Sequence, residues 1–398
     1  MTEIKIPALV EMDIPPILAM AKLERLKRED VPTLLAQMLA RPGDEAHLLM
    51  NQFQLFSIAG NQTFALEMFQ LALAQQVIYR VENTQPPALR LLALMGAGDT
   101  TDNTPLDYLI ENSDIRLDLL FIVPGQPLPD IIPDHDVAIV ALGESSKNQA
   151  TIALMETLIS HWPRPVLNHP RHIRLCARDR LYQHLKSIQN LLISPTLRFH
   201  KLELARIATQ GLKIAETNYP MTIRPIDTQA GIGLSKIATP EELNAYLQPA
   251  SAQEFFVSSY IDYRHADGLY RKIRIALIDG LPYACHLAIS EHWIAHYKNS
   301  GMSESVAKRA EEEKFMRDFD SDFALRHGEV LREIAARIGL DYVVIDCAET
   351  RDGKFILFEA DNRGWVHATD PLELFAYKQV PMRKTFDAFR TLLFKTQK

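Results

Sequence analysis

Cysteine is scarce: Cys176, Cys285 and Cys347 stand in three separate segments of a 398-residue chain. No CxxC pair and no tight Cys/His spacing suggest a zinc site, and an odd, scattered trio is a poor disulfide framework. A reducing compartment fits this usage. Long apolar runs are lacking too; none approaches the ~20 residues of a membrane span. The opening MTEIKIPALVEMDIPP carries acids and prolines where a signal peptide has a basic end and an unbroken apolar stretch. The expectation is a cytoplasmic protein with no membrane partner. Basic runs are also missing: 43 Lys+Arg stand against 50 Asp+Glu, a net charge of −7. That speaks against nucleic acid as a main partner, although a pocket for a small anion needs only a few positive groups. What is present is 47% hydrophobic and 23% charged residues, an ordinary globular composition in a chain long enough for two or three domains.

Apolar residues at i, i+3, i+4 spacing predict helices in PILAMAKLERLKRED, VPTLLAQMLA, EAHLLMNQFQLFSIA and TFALEMFQLALAQQVIYRV. Residues 1–86 therefore read as a helical N-terminal region, a cap or an oligomerisation module; a homo-oligomer is compatible with this. After NTQPP (83–87) the texture changes. The short runs ALRLLALM, DLLFIV and DVAIVAL alternate with helix-like stretches, which predicts an α/β layer with parallel strands over 87–170. From Tyr219 onward, strands separated by Asp-Gly turns and followed by helices predict an α+β region.

The chemistry concentrates in that last region. In DYVVIDCAETRDGKFILFEAD, a two-residue turn at Asp352-Gly353 places Asp346 opposite Glu359 and Val344 opposite Asp361. Phe355 and Leu357 are then expected to share the face of Glu359. Three carboxylates on one face repel unless a cation lies between them, and hard oxygen ligands in that number suit Mg²⁺. Asp346→Asn is accordingly expected to leave the metal-free protein at least as stable. In YRKIRIALIDG, Lys272 and Arg274 share a strand face, which pairs cations with the carboxylates. In YPMTIRPIDTQAGIGLSKI, Arg224 precedes a loop with Gly231 and Gly233, whose backbone could approach phosphate oxygens.

The order of glycine loop, the strand FFVSSYID, the arginine strand and VVID…LFEADN resembles the ATP-grasp superfamily, closest in character to glutathione synthetase and RimK-type ligases. The resemblance covers roughly residues 165–380. It implies a multidomain α/β and α+β fold: helical region, Rossmann-like pre-ATP-grasp domain (87–170) and ATP-grasp domain (171–398), with a small lobe to about 257 and a large lobe from about 258. By resemblance Asp346 and Glu359 bind metal, with Asp361 or Asn362 as third ligand. Arg180, Arg224, Gln229, Gly231, Gly233, Tyr260 and Ile261 would meet the nucleotide, the last two through backbone at the adenine. Arg274 would act on the transferring phosphate, and the 363–371 loop would face the acceptor. The expected substrate set is His286, His296, Arg363 and His367. The implied activity is an ATP- and Mg²⁺-dependent (or Mn²⁺-dependent) carboxylate–amine ligase that forms an amide through an acyl phosphate and releases ADP and phosphate. Its partners are a small carboxylate and an amine. The alternatives are a small-molecule kinase, or an inactive nucleotide-binding scaffold with a helical partner-binding module. MGAGD (95–99) follows a strand but lacks the third glycine of a dinucleotide loop, and reads as a substrate-binding loop.

Overall fold

The computed structural model describes residues 6–26, 30–40, 45–83 and 85–397. The largely apolar runs Leu89–Gly96, Ile115–Ile122 and Val137–Val140 form the parallel centre of a six-stranded sheet, as strands buried on both faces should. Val166–Leu167 extends it on one side. On the other side lie Ile78–Val81 and Pro16–Ile17.

Those two strands correct the expectation of a separate helical region. The stretch TFALEMFQLALAQQVIYRV is helical only over Gln62–Gln75, and Ile78–Val81 leaves it to pair antiparallel with Ile115–Ile122. Branched and aromatic residues at that end (Val77, Ile78, Tyr79, Val81) suit a pleated, buried strand better than a helix. Similarly, PILAMAKLERLKRED contains the strand Pro16–Ile17 and a helix confined to Met20–Glu24. Residues 1–5, 27–29, 41–44 and 84, on which parts of these expectations fall, lie outside the described residues. Helices Ala46–Ile58 and Gln62–Gln75 do form, the second capped by the Asn61 side chain. Both pack Met50, Phe53, Phe69 and Leu73 into one core with Leu91 and Phe121 of the sheet.

Two further sheets follow. A four-stranded antiparallel sheet runs in the order Thr196–His200, Glu254–Ser259, Met221–Pro225, Ser235–Ile237, with helices Lys201–Gln210 and Pro240–Leu247 on one face. A five-stranded sheet runs in the order Leu281–Ser290, Tyr270–Ile278, Tyr342–Glu349, Phe355–Asp361, Leu191–Ile193. Its first hairpin closes through Asp279-Gly280, both at positive φ, as an Asp-Gly signal predicts. Leu191–Ile193, expected in a small lobe reaching residue 257, instead pairs parallel with Phe355–Asp361. The four-stranded sheet is thus inserted after one strand of the five-stranded sheet has already been laid down. Among the described residues no helix is long and apolar enough to cross a membrane.

Candidate active site

The carboxylate hairpin reaches its expected register by an unexpected route. Glu349 pairs with Phe355, so the loop is 350–354 rather than a two-residue turn, and the pairing starts one residue out of step. A bulge beside Asp346/Cys347 absorbs Phe358 and restores Asp346 opposite Glu359 and Val344 opposite Asp361. The bulge reverses parity along the strand. Phe355 and Leu357, expected on the face of Glu359, therefore lie in the core opposite Glu349 and Cys347. The three acids share one face, and each has a cation.

Arg274 stands opposite Asp346 on the neighbouring strand and grips it with both arms, Nε to Oδ1 at 2.8 Å and Nη2 to Oδ2 at 3.0 Å. Lys272 adds its ammonium at 2.7 Å from Oδ2. Asp346 is only 2% exposed. Burial alone would raise its carboxyl, yet Arg274 and Lys272 hold it well below the usual range. Glu359 pairs with Arg178, and Asp361 accepts from Arg363 Nε at 2.9 Å and Nη2 at 2.8 Å.

Glu359 and Asp361 open onto a cleft bounded by the three larger sheets, with about 510 Å³ of atom-free space including its mouth. Four arginines line it: Arg178, Arg198, Arg224 and Arg363. Arg224 is buried and pushed down to about 9, first by burial and then by Arg178. Its guanidinium donates to the carbonyl and hydroxyl of Thr228, fixing the loop that carries Gln229 into the cleft. From the six-stranded sheet comes Glu144, on the loop after Val137–Val140. Parallel sheets gather ligands at the ends of their strands in this way. Burial pushes its carboxyl up to about 7, while Arg363 pulls the other way. Across the cleft, Ser146 donates to Asp227 of the glycine loop.

Several expectations need correction. Arg180 is exposed and does not line the cleft; Arg178 does. The segment is a helix, Arg178–Leu185, and two residues along a helix turn the side chain by ~200°. Asn362 is fully buried and faces away: its Nδ2 donates to the carbonyls of Ala141 and Leu142. Side chains alternate along the strand, so with Asp361 in the cleft Asn362 must point into the six-stranded domain. Its Oδ1 is buried without a hydrogen-bond partner. Asp346 has both oxygens occupied, and among the described residues no three His, Cys, Asp or Glu side chains come together to hold a metal. Gly231 and Gly233 take positive φ but do not line the cleft, and a Cβ on Gly233 would meet Pro225 at 2.7 Å. Packing of the loop explains that glycine. The Tyr260 N–H already donates to Pro220, so it is not free for an adenine; neither Tyr260 nor Ile261 lines the cleft.

Around the buried end, Arg274 acts electrostatically on His286, His296 and His367 together. Burial depresses all three; among the charges Arg274 comes next for His286, Lys272 precedes it for His296, and at His367 Asp370 and Glu24 oppose the shift while Lys378 and then Arg274 add to it. Arg274 Nη1 also donates to the Trp365 carbonyl at 3.2 Å. Behind this end lies a network that sequence reasoning missed. Glu312 accepts from Tyr297 (2.8 Å), Tyr377 (2.6 Å) and the Leu287 N–H (2.9 Å), while Lys378 reaches Asp370 at 2.8 Å. Arg178, Arg198 and Glu144 were missed as well. Only Arg178 had a signal, its place in ARDR one helical face away from Arg180.

No family model matches the sequence, and no curated protein does. Among solved structures the chain is similar to a RimK domain ATP-grasp protein from Sphaerobacter thermophilus (15% identity, 76% of this chain and 99% of that one, TM-score 0.42). It is also similar to the VanG D-Ala:D-Ser ligase of Enterococcus faecalis (13%, 78% and 100%, TM-score 0.48). A third is the D-alanyl-alanine synthetase A of Vibrio cholerae (10%, 78% and 98%, TM-score 0.46).

Proposed function

We propose that this chain is an ATP-dependent carboxylate–amine ligase of the ATP-grasp kind, working in the arginine-lined cleft. The observation that carries the reading is the pairing of Glu359 with Arg178 and of Asp361 with Arg363, two partly exposed carboxylates and their guanidiniums at the mouth of one cleft. Such a set can exchange partners. Triphosphate oxygens replace the carboxylates on the arginines, which bind phosphate as rigid forks. The freed carboxylates fit Mg²⁺, which commonly takes one or two carboxylates plus substrate phosphates and needs no all-protein cage. Bound there, the ion would neutralise charge on the phosphates.

In this reading a substrate carboxylate oxygen attacks the terminal phosphorus and ADP leaves. An amine then attacks the acyl carbon of the acyl phosphate and phosphate leaves. Arg178, Arg224 and Arg363 orient the phosphates, where positioning and charge stabilisation supply most of the acceleration. Arg274, locked in its pair with Asp346, presents a fixed cation to the reacting end. Glu144, balanced near neutrality, is the cleft group suited to take the proton that the amine gives up. Incubation with Mg·ATP, hydroxylamine and a carboxylate panel should yield hydroxamate with stoichiometric ADP and phosphate. AMP with pyrophosphate as products would overturn the mechanism, and phosphorylated substrate without an amine would make the chain a kinase.

A further inference from the structure

A second cavity lies in the first domain, between helices Ala46–Ile58 and Gln62–Gln75 and the end of the six-stranded sheet. It holds about 730 Å³ of atom-free space including its mouth, and its wall is mainly apolar: Met50, Phe53, Phe69, Met95, Leu119 and Phe121. In this wall sits Gln54, 7% exposed, whose Oε1 is buried without a hydrogen-bond partner. A buried acceptor left unpaired loses its water partners without replacement, so such an atom marks a place where a donor belongs. The two carboxylates in the wall are already engaged, Asp99 by Thr101 and Asp107 by the Ala21 N–H. Through Trp365 the cavity comes within one residue of Arg274, which lines neither it nor the arginine-lined cleft. Trp365 lines it, is packed against Tyr108 at 5.3 Å between ring centroids, and offers its carbonyl to Arg274. The MGAGD loop contributes Met95, Gly98 and Asp99 to the rim, and Thr104 from the same loop bonds the Asn362 carbonyl beside Asp361.

We infer that this cavity, resting on the ligase reading, is the specificity pocket for the carboxylate substrate: it takes a bulky apolar, ring-sized body carrying one hydrogen-bond donor for Gln54 Oε1. A body seated against Trp365 directs its carboxylate to Arg274, whereas a small polar acid would leave both the apolar wall and the Gln54 oxygen unsatisfied.

The test uses the nucleotide-free full chain and two probes that differ by one hydroxyl, 3-(4-hydroxyphenyl)propionate and 3-phenylpropionate. Binding is read from Trp365 emission, with Trp365→Phe as the blank. The hydroxylated probe should bind saturably and about tenfold more tightly, ~1.4 kcal/mol. Gln54→Leu should reduce that preference to about one. Met95→Trp, at a half-buried wall position, should abolish binding of both probes while the protein still melts cooperatively. No saturable binding, or a preference that survives Gln54→Leu, overturns the pocket. Mg·ATP binding by the wild type is measured separately; its loss would refute the nucleotide reading and leave the probe result to judge the pocket on its own.

Discussion

One face of one hairpin carries two kinds of ion pair. Asp346 is sealed from water and held by two cations from the adjacent strand, whereas Glu359 and Asp361 are partly exposed at a cleft, Glu359 with the partly exposed Arg178 and Asp361 with the buried Arg363. A buried charge pair is expensive to break because the survivor is left without solvent. A partly exposed pair is worth little to the fold and is therefore free to trade partners. In the proposed reading the same chemistry serves as architecture at Asp346 and as exchangeable ligand at Glu359, directly across the hairpin.

The sharpest break of this comparison is Asp346→Asn. Reading the sequence alone, repulsion between Asp346 and Glu359 makes this change neutral or stabilising. The structure reverses the sign, because the carboxylate that is lost has Arg274 and Lys272 on it. The variant should lose about 3 kcal/mol at neutral pH, the lower end for a broken buried pair, since Lys272 retains some access to water. A depressed carboxyl stabilises above its unfolded value, so the difference from wild type should begin to shrink as pH falls below about 4 and vanish only as pH passes through the much lower folded value. Urea titrations at pH 7 and pH 3 should show the full difference at the first and a reduced one at the second.

Glu144 should show a smaller effect of opposite sign. Its folded value of about 7 lies above the ordinary 4.5, so its contribution is whole below pH 4.5 and is lost as pH rises through 7. Glu144→Gln should match wild type at pH 4.5 and exceed it by about 1–2 kcal/mol at pH 8.5. A variant destabilised at both pH values would contradict the assignment. The smallest change should come from the neighbouring pair on one helix. Neither Arg178→Ala nor Arg180→Ala should move stability by more than about 1 kcal/mol. Arg178→Ala should weaken Mg·ATP at least tenfold, while Arg180→Ala stays within about twofold, by equilibrium titration.

These contrasts also mark what could be read without coordinates. The parallel strands 89–96, 115–122 and 137–140 were legible because strands buried on both faces are written in largely apolar runs. Ile78–Val81 was not, because a short run joined to a helix shares its periodicity, and only the sheet beside it makes it a strand. Asp346 and Glu359 were placed opposite one another by a count whose loop was wrong, and the bulge at Phe358 cancelled the error where it mattered. The misassigned core residues Phe355 and Leu357 record that error on the other side of the bulge. Arg178 was missed by two residues because a helix face is set by the helix start, the least legible point of an element. Glu144 and Arg198 reach the cleft from other sheets, and tertiary approach leaves no local pattern.

The central claim is that Glu359 and Asp361 hold the nucleotide's metal while Asp346 holds the fold. Thermal melts of wild type and of the double variant Glu359→Gln/Asp361→Asn, each with and without Mg·ATP, test it most directly. At 100-fold excess over Kd the ligand should stabilise wild type by ~2.7 kcal/mol. The double variant should melt below wild type when ligand-free, because the buried Arg363 loses its carboxylate, and show no shift with Mg·ATP. A wild-type ligand shift preserved in the double variant would contradict the account and move the metal away from this cleft.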